Sequence, residues 1–311
     1  MTQLTRKEEA SSEIFTQPGT LPADPIFNNV LKVAGFAVIG VLIWMTLVVA
    51  VDSLPAIKQF GWGFLTDSNW DPNSDQFGGL SFVFGTMASA AIAMVFAIPV
   101  GLGIAIFLTE DFLPEEVLTP ISFMVELLAA IPSVVYGLWG IFVMIPIIRP
   151  LLQWLSGGSA SGYGLFTAGL LLSVMVLPTV AAITREVLKS IPRSLRNASL
   201  ALGATRWETI FRVMIPAGTS GIVGACVLAL GRALGETMAV TMVIGNSPQI
   251  PNSVFAPAYT ISAVLANEFG EASGALHVSS LFFAGFLLFV ITLSVNILAE
   301  IFVRRVSLER Q

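Results

Sequence analysis

The sequence predicts an all-α, polytopic membrane protein with six transmembrane helices. Of its 311 residues, 55% are hydrophobic and only 11% are charged, and the mean hydropathy is +0.84. Soluble domains carry about 25% charged residues, so this composition excludes a soluble globular protein. The number of spans follows from the apolar stretches, because about 20 apolar residues cross the hydrocarbon core. Their orientation follows from the distribution of Lys and Arg.

Six apolar stretches within residues 29–305, the predicted membrane domain, are long enough to cross a bilayer. Residues 1–28 are polar and have no apolar periodicity, so we predict a disordered cytoplasmic tail there. Residues 306–311 are predicted to form a short C-terminal cytoplasmic tail. The six spans are predicted at residues 30–51, 80–109, 120–148, 163–183, 217–244 and 278–303.

The basic residues set the orientation of these spans. Twelve of the fifteen Lys and Arg residues lie on one side, Lys58 and Arg149 lie on the other, and Arg232 lies within a span. Because basic residues remain on the cytoplasmic side, we predict that both termini are cytoplasmic. The extracytoplasmic segments are then residues 52–79, 149–162 and 245–277.

The longest polar segment after the first span, residues 185–216, holds six of the basic residues. Pro192 suits the start of a helix, and apolar residues recur at helical spacing on both sides of Gly203. Glycine can adopt a turn there that other residues resist. We therefore predict two short amphipathic helices forming a knob that fits a partner's groove. The alternative is an amphipathic loop on lipid headgroups, which requires no Gly or Pro at fixed spacing.

This segment resembles the EAA loop of ABC-importer permeases, in which a coupling helix docks into the ATPase subunit. The resemblance rests on the run Asn197-Ala198-Ser199, on Gly203, and on Pro216 at the expected separation. Asn197 stands where that loop usually has glutamate, and Ser199 where it has alanine. We refer to residues 185–216 as the coupling segment. The resemblance assigns ATPase contact to Asn197, Ala198, Ser199, Gly203, Ala204, Arg206, Trp207 and Pro216.

Three further segments, residues 60–86, 127–140 and 231–237, resemble the phosphate-specific PstC/PstA permeases. The long N-terminal region and residues 52–79 favour the PstC-like subunit. This resemblance implies the type I ABC-importer permease fold, phosphate transport and a bacterial inner-membrane location. The implied partners are a sister permease, two cytoplasmic ATPase subunits, an extracytoplasmic phosphate-binding protein and the lipid bilayer, with no nucleic acid.

The chain itself is expected to bind no cofactor and to catalyse no reaction. It contains no Walker A sequence, so ATP would be bound and hydrolysed by the partner ATPase. Its single cysteine, Cys226, and single histidine, His277, offer neither a disulfide framework nor a metal cluster.

Charged residues within the predicted spans are candidates for the translocation path, because burying a charge there costs at least ~2.5 kcal/mol. Arg232 lies roughly 22 Å into span five. Glu236 follows four residues later, on the same face of a continuous helix. The pair is either a structural ion pair or an anion contact, and the resemblance of GRALGET implies a role in translocation. Glu126, predicted in span three, either lines the path or reaches the interface.

Other functions stay open at this point. The chain could be an ABC permease for sulfate or molybdate, an ATP-independent anion channel, or a membrane anchor that recruits a soluble partner. A channel would pass anions without nucleotide, and an anchor would be insensitive to exchange of Arg232.

Overall fold

A computed structural model describes residues 24–110, 112 and 114–308, which are almost entirely helical. Two π-helical turns and one short hairpin interrupt the α-helices. The α-helices are α1 (Asp24–Asp52), α2 (Leu54–Phe60), α3 (Gly63–Thr66), α4 (Leu80–Thr109), α5 (Glu115–Ala129), α6 (Ser133–Trp139), α7 (Ile145–Leu155), α8 (Leu165–Ser190), α9 (Arg193–Ala201), α10 (Arg206–Thr209), α11 (Ile215–Ala217), α12 (Thr219–Leu234), α13 (Met238–Val243), α14 (Ile261–Glu268) and α15 (Ala275–Leu308). The hairpin pairs β1 (Trp70–Asp71) with β2 (Gln76–Phe77), and the π-helices are Gly140–Met144 and Ile210–Met214.

The predicted number of six spans agrees with the structure. Five helical segments are long and apolar enough to cross a membrane, in α1, α4, the run from α6 to α7, α8 and α15. A sixth span is obtained when Arg206–Ala217 and α12, which meet at an angle of 72°, are counted together as one bent span. Residues up to Val51 form one structural unit and residues from Asp52 onward form a second. The core and the sites described below belong to the second unit.

The ends of the chain lie largely outside the described residues. The predicted N-terminal tail, residues 1–28, is described only from Asp24, and its last five residues belong to α1. Helix α15 continues to Leu308, so residues 306–308 of the predicted C-terminal tail are helical and residues 309–311 are not described.

The prediction of one continuous span over residues 120–148 is wrong. Helix α5 ends at Ala129, and α6 begins at Ser133 after Pro132. Proline lacks the N–H that would continue the helix and disfavours helical geometry in the residue before it. The hydroxyl of Tyr136 donates a hydrogen bond to the carbonyl oxygen of Leu128 (2.8 Å), which satisfies one of the open carbonyls at the end of α5. Glu126 therefore lies in a separate 15-residue helix that precedes the span.

The core of the second unit is the close packing of α4 along α8. A Cβ atom added at Gly101 of α4 would lie 2.8 Å from Val180 Cγ1, and one added at Gly169 of α8 would lie 2.5 Å from Ile92 Cγ2. Only hydrogen at these positions lets the two helices approach so closely, as is typical of membrane helix pairs. Helix α12 packs against both α4 and α8, so these three helices share one core.

The segment 52–79, predicted as an aromatic outer segment, is folded against the N-terminal ends of α4 and α15. Its Trp70 indole donates a hydrogen bond to Glu268 Oε2 (2.8 Å). His277 Nε2 lies 3.2 Å from the same carboxylate oxygen, and the imidazole stacks on Phe77 with ring centroids 5.3 Å apart. The His277 side chain is only 12% exposed, so it packs within this aromatic cluster and is not a solvated loop residue.

The same four-residue sequence, Val-Met-Ile-Pro, spans the end of each π-helical turn and the start of the α-helix that follows, at residues 143–146 and 213–216. The proline ring cannot accept the normal position of the carbonyl four residues earlier, and its nitrogen has no hydrogen to donate. A widened turn before the proline accommodates both constraints without ending the helix. Pro216 thus shapes the helix that leads from the coupling segment into the membrane.

We expect Gly101→Ala to destabilise the purified protein by about 1–3 kcal/mol, because the added methyl group overpacks the contact between α4 and α8. Gly103→Ala on the same helix is the matched control, since a Cβ atom there meets nothing within 4 Å. Thermal unfolding of the detergent-purified variants measures the difference. Equal midpoints for the two variants would contradict the close approach of these helices.

Candidate functional site

The coupling segment folds as the sequence predicts, with α9 and α10 joined by a turn at Gly203. The backbone of Gly203 has a φ of +88°, and a Cβ atom there would meet nothing within 4 Å. Its N–H donates to Leu200 O (3.0 Å), and the N–H of Ala204 donates to Ser199 O (3.2 Å). These two bonds form a Schellman motif, in which glycine supplies the left-handed residue that ends the helix. Glycine is therefore required at position 203 because of its positive φ, and not because a larger side chain would meet a neighbouring atom.

Helix α10 begins with a capping box that the sequence analysis missed. The N–H of Glu208 donates to Thr205 Oγ1 (3.3 Å), and the N–H of Thr205 donates to Glu208 Oε2 (2.9 Å). The signal was present in the sequence as Thr followed three residues later by Glu. The box fixes the first turn of α10, which contains Arg206 and Trp207.

The two halves of the coupling segment are held in different ways. After α10, the π-helical residues Ile210 and Met214 are buried in a hydrophobic cluster with Ala105 of α4 and Leu188 of α8. Helix α9 contains no buried residue, so packing does not fix its position. One of its polar contacts is a hydrogen bond of 2.9 Å between the hydroxyls of Ser199 and Thr209.

A second polar contact of α9 is an ion pair between Arg196 and Glu110. The guanidinium donates a short hydrogen bond to Glu110, the residue that follows α4. The Glu110 side chain is 2% exposed and that of Arg196 is 22% exposed. Removing one partner of a buried pair is strongly destabilising because a buried charge is left behind. The sequence gives no signal for this contact, which joins residues 86 positions apart.

Several large apolar residues of this segment are exposed. Leu202 at the turn is 90% exposed, Trp207 is 56% exposed and Leu195 is 46% exposed. Exposed apolar surface of this kind marks a site of interaction with another molecule. Among the residues predicted to contact the ATPase, five are exposed (Asn197, Ala198, Gly203, Arg206 and Trp207) and three are half-buried (Ser199, Ala204 and Pro216).

The predicted ion pair between Arg232 and Glu236 is not formed. Helix α12 ends at Leu234, and Gly235 to Thr237 separate it from α13. Glycine weakens the helix at this point, so the two side chains no longer share one helical face. Glu236 Oε1 instead accepts a hydrogen bond from the N–H of Ala239 (3.2 Å) in the first turn of α13. The Glu236 carbonyl accepts another from Ser262 Oγ (2.6 Å), so this residue stabilises the helix break.

Arg232 faces a cavity of about 730 Å³ between α8, α12 and α15. Its side chain is exposed and forms no ion pair or hydrogen bond with the described part of the chain. The lining includes Thr179, Val227, Leu228, Arg232, Asn296 and Glu300. A charged side chain at this depth in an apolar helix requires water or an ionic partner.

Glu126 lies away from this cavity. On α5, its Oε1 is 3.4 Å from Arg185 Nη1 of α8, and its side chain is 58% exposed. The structure thus does not bring the three predicted translocation residues together: Arg232 faces the cavity, Glu236 caps α13, and Glu126 pairs with α8. A role for Glu126 in the path stays a prediction.

The fold is shared with membrane subunits of ABC importers. One chain of a bacterial alginate ABC transporter superposes with a TM-score of 0.62 at 18% identity, covering 92% of this chain and 98% of that one. A chain of the MetNI methionine ABC transporter, in an inward-facing conformation, gives a TM-score of 0.57 at 20% identity and covers 73% and 96%. Residues 97–308 match the family described as "Binding-protein-dependent transport system inner membrane component". The fold and the coupling segment therefore define a permease subunit of an ABC importer.

Closer relatives narrow this class. The phosphate transport system permease protein PstC of Mesorhizobium japonicum is 43% identical over 298 residues, which are 91% of each chain. The PstC protein of Haemophilus influenzae is 41% identical over 298 residues, covering 91% of this chain and 94% of the relative. The chain belongs to the PstC family of ABC-importer permeases.

We expect Glu110→Gln to loosen α9, because Arg196 loses the carboxylate that holds it. The free energy of local opening should fall by about 2–3 kcal/mol, less than for a fully buried pair because Arg196 is 22% exposed. Hydrogen exchange of the α9 amides measures this change. Arg193→Gln, an exposed arginine on the same helix, is the control and should have no effect. Unchanged exchange in Glu110→Gln would show that the pair does not position α9.

Proposed function

We propose that the chain is the membrane-spanning permease subunit of an ATP-driven importer of inorganic phosphate, and that it couples translocation to a separate ATPase. The observation that supports this most directly is the coupling segment, whose exposed helix α9 is joined to the end of α4 by the pair of Arg196 and Glu110. The substrate is taken from the relatives, whose names state phosphate transport. Sulfate and molybdate importers, the alternatives from the sequence, have no such support.

The proposed assembly places this chain beside a sister permease subunit in the bacterial inner membrane, with both termini in the cytoplasm. Two ATPase subunits bind the cytoplasmic face, and a phosphate-binding protein delivers the anion from outside. ATP is bound by the ATPase, because this sequence contains no Walker A loop. The excess of basic residues in the coupling segment supports the placement of this segment on the cytoplasmic side of the membrane.

In this proposal, the ATPase acts on the exposed face of α9 and the turn at Gly203. A displacement of α9 transmits force to Glu110 through Arg196, and hence to the end of α4. Helix α4 packs on α8, and both pack on α12, which carries Arg232. Movement at the coupling segment is thereby linked to the geometry of the cavity through packed helices, which shift as rigid elements.

Arg232 is proposed to contact the anion during translocation. Its guanidinium presents a planar set of donors that matches an oxyanion in a bidentate manner. Glu236 contributes indirectly, because it caps α13 and stabilises the break that follows α12.

The test is phosphate uptake by the complete transporter in proteoliposomes. Uptake is measured with and without ATP on the side of the membrane that the ATPase subunits face. We expect Arg232→Gln to reduce uptake by at least about a hundredfold, since an anion contact of 1.5–3 kcal/mol and its long-range attraction are both lost. Arg232→Lys should be partly active, because ammonium keeps the charge but not the planar fork. Glu236→Gln should retain most activity, because its amide oxygen can still accept from Ala239, whereas Glu236→Ala should not.

Complex yield is the control for all four variants. Uptake by the unaltered transporter without ATP would indicate a channel and contradict the proposal. Full activity of Arg232→Gln would remove Arg232 from the path.

A further inference from the structure

Asn296 is an unexplained polar residue within an apolar helix. It lies on α15, in the segment from Ala275 to Ile301 that is apolar enough to cross a membrane. Its Oδ1 atom is buried and accepts no hydrogen bond from any described residue. A buried amide without a partner costs several kcal/mol in an apolar medium, roughly 2–7 kcal/mol depending on the reference state. Such a residue is expected to serve a bound ligand or ordered water.

The side chain of Asn296 approaches α12 at the residue next to Arg232. A Cβ atom added at Gly231 would lie 3.7 Å from Asn296 Oδ1 and 3.8 Å from Nδ2. Glycine at 231 therefore leaves the carboxamide beside the backbone of α12. Asn296 and Arg232 line the same cavity of about 730 Å³.

Thr179 of α8 adds a hydroxyl to this cavity from a third helix. Threonine within a helix often bonds to a carbonyl of the preceding turn, as Thr86 does in α4. The Thr179 hydroxyl forms no hydrogen bond with any described residue. The Arg232 guanidinium forms none with the described residues either. Three polar side chains on three helices thus line one cavity. The Asn296 Oδ1 atom is covered in this orientation, and rotation of the carboxamide, which exchanges its oxygen and nitrogen, presents the acceptor to a ligand.

We propose that Arg232, Asn296 and Thr179 form a binding site for the transported oxyanion, and that Asn296 accepts a hydrogen bond from the P–O–H group of protonated phosphate. This inference rests on the proposed function. Either orientation of the carboxamide offers the anion one acceptor and one donor group. Sulfate at neutral pH has no hydrogen to donate, so it would leave the acceptor unpaired.

Asn296, and not Glu236, is the group proposed to distinguish a protonated anion. The Glu236 carboxylate is occupied by the N–H of Ala239, whereas the Asn296 acceptor is not. The Asn296 carboxamide is neutral, so it places no negative charge next to the bound anion. It also binds the anion less strongly than a second cationic group would, so the anion can leave.

The first experiment measures phosphate uptake by the complete transporter carrying Asn296→Leu, which keeps the side-chain size and removes both polar groups. We expect the maximal rate to fall at least about tenfold, the effect of one hydrogen bond to a charged ligand. The external KM should be unchanged if the binding protein determines it. Ser294→Ala is the control: Ser294 is exposed on the same helix and bonds only to Val290 O, so its loss should leave the rate unchanged. If Asn296→Leu lowers complex yield, Thr179→Val, which has nearly the same shape, provides the same test.

The second experiment does not depend on transport. The thiol introduced by Leu228→Cys, in a Cys226→Ser background, lines the cavity and can react with an anionic thiol reagent. Inorganic phosphate should slow this reaction several-fold, equal concentrations of sulfate should not, and Asn296→Leu should abolish the protection. Equal protection by both anions, or a normal uptake rate in Asn296→Leu and Thr179→Val, would overturn this inference. If either result were found while the unaltered transporter still took up phosphate with ATP, the proposed function would stand. If the unaltered transporter took up no phosphate, the proposed function itself would be contradicted.

Discussion

The buried ion pair between Glu110 and Arg196 is the interaction on which the position of α9 depends. Helix α9 buries none of its own residues, so the hydrophobic effect does not place it. Its attachment to the core is polar and directional, because the Arg196 guanidinium meets a carboxylate that is 2% exposed. An ion pair of this kind is specific about geometry even where its net contribution to stability is small. It allows a helix to expose its apolar face to a partner and still hold one orientation.

The rest of the second unit extends this constraint into the membrane. Glu110 follows directly after α4, and α4 meets α8 at Gly101 with no space for another atom. Helix α12 packs on both, ends at Gly235 and carries Arg232 in its last turn. The break after α12 is itself fixed, because Glu236 bonds to the start of α13 and to Ser262. Close-packed helices move as units, so a force on α9 has a defined route to the cavity.

Features that depend on nearby residues could be predicted from the sequence. Apolar length gave the six spans, and the glycine at 203 gave the turn that the φ of +88° confirms. Contacts between distant residues could not be predicted: Glu110 and Arg196 are 86 positions apart, and no periodicity relates them. The pairing of Arg232 with Glu236 failed because it assumed a helix that continues through Gly235. Asn296 could not be singled out from the sequence, because a single asparagine in a long apolar helix does not indicate a site. The structure adds the observation that its Oδ1 atom is buried without a hydrogen-bond partner among the described residues.

Contact between the coupling segment and the ATPase is measured most directly by photo-crosslinking from the tip of this segment in the assembled transporter. Leu202→Cys in a Cys226→Ser background places a thiol at a position that is 90% exposed, and a benzophenone attached to it reports its neighbours. We predict adducts with the ATPase subunit, and a lower yield of these adducts in Glu110→Gln because α9 is loosened. Adducts with lipid alone, or labelling of this thiol by an impermeant reagent from outside, would contradict this contact.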